Sequence, residues 1–151
     1  MCSGATAAPL TPPIVFSADR APSLSGEVYR LDSGGRLVDL SNSPFPDFGA
    51  LVSPNGSRVV FGSHRPGGGI YVVSVDGSGP QRLETPPLGV GEEERFDFAW
   101  APNSKQLALS AGTGSAASLS LVAPGRSPRV LARRFVSQPK WSPDGLSLIH
   151  I

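Results

Sequence analysis

The sequence holds one cysteine, Cys2, and two histidines, His64 and His150, among 151 residues. That set assembles neither a disulfide framework nor a structural zinc site of Cys and His ligands. Lysine is scarce as well, with two Lys beside 11 Arg. The 13 basic and 12 acidic residues leave a formal net charge of +1. A balance so near neutrality offers no electrostatic footprint for nucleic acid or for an anionic membrane surface. No window of 18 apolar residues occurs, so no transmembrane segment is expected. Room for helices is missing too. The longest stretches free of both Pro and Gly are the ten residues 92–101 and the ten residues 129–138, short of an ordinary helix of about 11 to 12 residues.

What is abundant is Pro (16), Gly (18) and Ser (21), together more than a third of the chain. Such a composition stays disordered unless a repeating pattern organises it. Between the breakers lie short apolar runs rich in β-branched residues: Ile14-Val15-Phe16, Val59-Val60-Phe61, Ile70 to Val75, Leu107-Ala108-Leu109 and Leu119 to Val122. Short apolar runs bounded by turn residues read as strands. The Glu92-Glu93-Glu94-Arg95 cluster reads as a solvated loop, and the expected fold class is all-β.

A repeat orders these strands. A shift of 48 places carries Phe48, Pro54, Asn55, Gly77, Pro80 and Leu83 onto Phe96, Pro102, Asn103, Gly125, Pro128 and Leu131, and sets Val73 on Leu121. A shift of 41 carries Trp100-Ala101-Pro102 onto Trp141-Ser142-Pro143, and a shift of 42 carries Val28-Tyr29 onto Ile70-Tyr71. Each unit reads as four antiparallel strands, A to D. Ser53-Pro54-Asn55-Gly56 and Ser142-Pro143-Asp144-Gly145 join A to B, with Pro supplying the φ of a type I turn and Gly the positive φ that follows. Asp76-Gly77 supplies the hairpin between C and D. In the third unit Ala101-Pro102-Asn103-Ser104 lacks both Asp and Gly, so a looser first hairpin is expected there.

Units of 40 to 50 residues with four strands are the signature of β-propeller blades. The run Ser-Pro-Asn-Gly, Val-Val-Phe-Gly-Ser-His-Arg, Ile-Tyr-Val-Val-Ser-Val-Asp-Gly and Arg-Leu over residues 53 to 83, with Trp141 to Gly145, resembles the repeat of the TolB-like (WD-like) β-propeller family. The resemblance implies a protein or peptide partner and a periplasmic or cell-envelope location, and it is specific for fold more than for function. Similar blades also serve as the substrate-gating propeller of prolyl oligopeptidase-like serine peptidases, which is the alternative reading for a chain lacking the hydrolase domain.

The expected organisation is a flexible N-terminal segment, 1–13, and a partial propeller over 14–151. Blade 1 spans about 14–41, blade 2 about 47–84, blade 3 about 95–132 and an incomplete blade 4 about 136–151. About three and a half blades do not close a ring of about 4 to 8, so the chain reads as a fragment of a longer propeller. Open blade faces are an aggregation hazard and invite self-association to cover them.

Strand alternation puts the D–A and B–C connections on one end of every blade, where the chain carries its long segments: 18–26, 41–47, 64–69, 84–95 and 111–117. Long loops on a rigid scaffold are the usual place for binding residues. His64, Arg65, Glu92, Glu93, Glu94, Arg95 and Asp97 are therefore the candidate partner-face residues, against the plainer reading of solvated loop charge. Nothing supports catalysis: there is no Gly-x-Ser-x-Gly elbow, and neither histidine has a paired nucleophile. No calcium-loop spacing links the scattered Asp residues, no phosphate-binding motif follows Gly67-Gly68-Gly69, and no catalytic residue, metal or cofactor is expected. Trp100 and Trp141 occupy equivalent positions on inner strands and read as packing between blades. The N-terminus lacks the basic start and apolar core of a signal peptide, although Cys2-Ser3-Gly4 is similar to the mature start of a bacterial lipoprotein.

Overall fold

A computed structural model of the chain describes residues 13–20, 25–87 and 96–149. The expected flexible segment 1–13 lies almost wholly outside the described residues. Four antiparallel sheets follow one another along the chain. The first holds β1 (Ile14–Arg20), β2 (Ser25–Leu31) and β3 (Leu37–Asp39). The second holds β4 (Asp47–Val52), β5 (Arg58–Ser63), β6 (Gly69–Ser74) and β7 (Gln81–Arg82). The third holds β8 (Phe96–Trp100), β9 (Leu107–Ala111), β10 (Ser118–Ala123) and β11 (Arg126–Ala132), and the fourth β12 (Lys140–Trp141) and β13 (Leu148–Ile149). A single turn of 3-10 helix, Gly114–Ala116, is the only helical element among the described residues, and no helix there is long and apolar enough to cross a membrane. Each sheet is an up-and-down meander, in the pattern of propeller blades that do not close into a ring.

Why the middle strands are apolar on both faces follows from this stacking. Val59, Val60 and Phe61 on β5 are all fully buried, because alternate side chains enter different layers. Val59, Phe61 and Val73 pack with Val28 and Leu40 of the first sheet. Val60, Ile70 and Val72 pack with Trp100, Leu107, Leu109 and Val122 of the third. The core is therefore two interblade layers with the second sheet between them. Gly62 is required by the same packing: a Cβ there would lie 2.5 Å from Cε2 of the Phe48 ring.

Three local expectations need correction. Between the second and third units the 48-residue shift holds through Leu51-Val52 and the second strand, is broken by a bulge between Phe48 and Leu51, and fails by one at the third strand. Val59 pairs with Val73, whereas Leu107, 48 places on from Val59, pairs with Val122, so Val73 corresponds to Val122 and not to Leu121. The cause is a connection one residue longer, 112–117 against 64–68, and a one-residue slip moves a side chain to the opposite face. The first B–C segment, expected to be long from Ala18 to Gly26, is instead mostly strand, with Arg20 opposite Ser25. The third A–B hairpin is not looser: Ser104 N–H donates to Ala101 O at 2.9 Å, matching Gly56 to Ser53 at 2.8 Å and Gly145 to Ser142 at 2.9 Å. Ser104 takes φ +58° where the others place Gly at +71°, and its Oγ accepts the Asn55 N–H of the neighbouring blade at 3.1 Å.

Candidate functional site

The end of the blades that carries the long connections is built on a repeated anchor. After β3, Leu40 is buried and its N–H donates to Val28 O at 2.8 Å. Ser41 Oγ accepts the Val28 N–H at 3.1 Å and donates to the buried carboxylate of Glu27 at 2.8 Å. Asn42 then turns with φ +44°, its N–H held by Asp39 Oδ1 at 2.8 Å. Forty-three residues on, buried Leu83 repeats the Leu40 bond, donating its N–H to Ile70 O at 2.8 Å; buried Val136 is held differently, its N–H donating to Ser110 Oγ on β9 at 2.8 Å, and Gln138 after it turns with φ +48°. The anchor was not legible beforehand, because the shift of 42 that sets Val28 on Ile70 sets Leu40 on Arg82, one short of Leu83.

Of the predicted partner-face residues, Glu92, Glu93, Glu94 and Arg95 lie outside the described residues. His64 is exposed, its ring 5.0 Å from that of Phe48 and its N–H bonded to Pro46 O at 2.9 Å. Phe48 in turn lies 6.0 Å from Phe96 on the next blade. Asp97 accepts the Gln138 N–H at 3.0 Å and so fastens the third sheet to the connection beyond it. Arg65 turns inward. Its guanidinium carbon stands 4.7 Å over the Tyr71 ring and 5.7 Å from that of Phe61, which stack 6.0 Å apart.

The Arg65 NH2 group donates to Ser41 O at 2.6 Å and lies 3.5 Å from Asp47 Oδ2. The Asp47 side chain is wholly buried, and that of Arg65 is 17% exposed. Asp47 Oδ1 and Arg65 Nε make no hydrogen bond within the described chain. These groups join the first two blades at the loop end. Sequence reasoning left Asp47 among the Asp residues scattered across turns and strand ends, and its only signal, a position at the start of an inner strand, does not reveal burial. No hydrogen bond or ion pair links His64, Arg65 and Asp97 to one another among the described residues. No group of three metal-ligating side chains occurs among them either.

The opposite end is made of short turns closed by their own side chains. Asp76 Oδ1 accepts Ser78 Oγ at 2.6 Å and Ser78 N–H at 2.8 Å. Asp144 Oδ1 accepts Ser142 Oγ at 2.5 Å and Leu146 N–H at 3.0 Å. The Ser78 hydroxyl, then its amide, holds the Asp76 carboxyl below the usual 3.8, and the Ser142 hydroxyl, then the Leu146 amide, does so for Asp144. Folding lowers both values, so what these bonds add to stability is present above pH 3.8 and is lost as pH falls through the lower folded value. In an NMR pH titration the Ser78 and Leu146 amides should shift with midpoints below 3.8. Midpoints at or above 3.8 would contradict the turn geometry. A groove of about 410 Å³ beside the turn that holds Ser78 is lined by Ser57, Arg58, Ser74, Ser78, Gln81 and Pro124, among others.

Both ends rest on a repeated tie between inner strands. Trp100 Nε1–H donates to Leu51 O at 3.1 Å, and Trp141 Nε1–H donates to Ala99 O at 3.1 Å. Leu51 and Ala99 are 48 residues apart, so each indole reaches the same carbonyl of the preceding blade. The two tryptophans therefore pack between blades, as their equivalent positions imply.

No protein-family model matches the chain. Among solved structures, it is similar to the crystal structure of TolB from Acinetobacter baumannii, with a TM-score of 0.65 and 21% sequence identity. The match covers 91% of this chain and 34% of that one. With its meandering sheets, its indole ties between inner strands and no closed ring, the chain has the fold of a partial, TolB-like β-propeller.

Proposed function

We propose that the chain is a non-catalytic, TolB-like β-propeller interaction module whose long-loop end receives a protein or peptide partner, in the periplasm or cell envelope. The observation that carries this reading is the unequal construction of the two blade ends. Tight turns close one end with their own hydrogen bonds. On the other, Leu40, Ser41, Val136 and Asp97 pin long connections to the sheets at fixed points. Loops held this way present side chains without a large ordering cost on binding.

Exposed His64 lies on that end and Ser78 on the other. A photo-crosslinking residue placed at either position, in cells that make the protein, separates them. Position 64 should yield discrete protein adducts and position 78 none. Equal yields at both positions, or none at either, would sink the proposal. Hydrolysis of a fluorogenic peptide mixture by the purified chain would overturn its non-catalytic part.

A further inference from the structure

We propose that the outer rim of the third blade, from Arg129 to Arg134, is a docking surface for an acidic segment of a partner protein. The inference concerns a different part of the blades from the loops around His64 and does not depend on the reading above. The net charge of +1 conceals a segregation. Residues 98–143 hold six basic side chains, Lys105, Arg126, Arg129, Arg133, Arg134 and Lys140, and no acidic one, while the seven basic and twelve acidic residues of the rest sum to −5. All six are exposed. Four of them fall within residues 126–134, on β11 and its exit, a length of under about 30 Å at about 3.3 Å per residue.

β11 is the outermost strand of its sheet, with no strand beyond it among the described residues. It runs for seven residues, where the outer strands β3 and β7 run for three and two. The shift of 48 that sets Leu83 on Leu131 also sets Gln81 on Arg129 and Arg82 on Val130, in agreement with the cross-strand pairs of Val72 with Gln81 and Leu121 with Arg129. Gln81 and Arg82 are exposed although their sheet has a neighbour on each side, so the exposure of Arg129 and Val130 belongs to the rim itself. Leu83 is buried between the second and third sheets, so the exposure of Leu131 has no such meaning, and Leu131 is not part of the surface. Other arginines are occupied: Arg30 by Asp32, Arg65 by Asp47 and Arg82 by Gly67 O. Arg129, Arg133 and Arg134 make no ion pair or side-chain hydrogen bond among the described residues. Unpaired guanidinium groups beside exposed Val130 match carboxylates, each gripped by a planar fork, on a chain that also offers an apolar residue. Pro128 removes an N–H from the edge, so side chains and not an added strand hold the segment. The negative charge of the remaining chain repels a long polyanion and leaves a short acidic segment free to reach the rim.

Fluorescence anisotropy of a labelled peptide of alternating Glu and Val, titrated with the full chain, should show saturable binding that weakens as salt is raised. A peptide of alternating Lys and Val should show none. Arg129→Glu combined with Arg133→Glu should weaken binding by roughly tenfold or more, and the milder Arg129→Gln with Arg133→Gln should weaken it less, in the same direction. Arg36→Glu with Arg58→Glu, at exposed positions on the first two blades, changes the net charge as much as the first pair and should weaken binding by less than about threefold. All four positions are exposed, so the circular-dichroism spectrum and urea midpoint should stay near those of the parent. No binding, which would leave the arginines as protection of a sheet edge, equal losses for the two Glu pairs, or tighter binding of duplex DNA or phosphatidylglycerol vesicles through the same arginines would each overturn the proposal.

Discussion

Replacing Trp100 with Ala lowers the unfolding free energy by about 3 to 5 kcal/mol, the range for truncating a large buried aromatic. Trp100 is 6% exposed, and its ring fills the layer formed by Val60, Ile70, Val72, Leu83 and Leu109. Truncation opens a cavity in that layer and removes the indole bond to Leu51 O. Trp100→Phe separates the two contributions, since it keeps most of the apolar volume and loses the N–H donor, worth about 1 kcal/mol. Trp141→Ala should cost less than Trp100→Ala, because Trp141 makes the same bond but is only half-buried. Urea denaturation of the three variants checks the order. Equal losses for Trp100→Ala and Trp141→Ala would show that the hydrogen bond, and not the packing, dominates the tie.

Arg65→Ala should destabilise the chain by about 3 kcal/mol, the lower end of the range for removing one member of a buried ion pair. The loss falls mainly on Asp47, which is left wholly buried with no cation beside it. A smaller part comes from the cation-π contact with Tyr71 and the bond to Ser41 O. The lower end applies because the charges are 3.5 Å apart and Arg65 is partly open to water. Adding Asp47→Asn to Arg65→Ala removes the stranded charge and should recover part of the loss. Arg65→Lys should fall in between, as an ammonium keeps the charge but lacks the planar fork that stacks on Tyr71. A double variant less stable than Arg65→Ala alone would mean that Asp47 is stabilised by something other than this guanidinium. Arg65 is therefore a poor probe of partner binding. Its loss perturbs the junction of two blades, whereas exposed His64 can be changed with less consequence for the fold.

The strand pattern was legible because it rests on local physics. Pro and Gly fix where the backbone turns, β-branched runs fill the segments between, and a repeated order of both implies a repeated unit. Asp76 and Asp144 follow the same logic, since each carboxylate binds a hydroxyl and an amide two residues away. The spacing of Trp100 and Trp141 likewise announced an interblade role, though not the carbonyls they reach.

The candidate site was legible only in outline. Loop length placed His64, Arg65 and Asp97 on one end of the blades, but the direction of each side chain depends on residues distant in sequence. Arg65 turns inward because Phe61, Tyr71 and Asp47 meet there from three strands, and Asp97 is occupied by the amide of Gln138, 41 residues away.

By itself, then, the sequence determined the all-β class, the blade repeat and its tight turns, all set by interactions within a few residues. The tertiary structure alone decided the register of each third strand, the burial of Asp47 and the inward turn of Arg65. Those outcomes depend on which faces of neighbouring sheets are pressed together and how water is excluded between them, and no short window of residues encodes that.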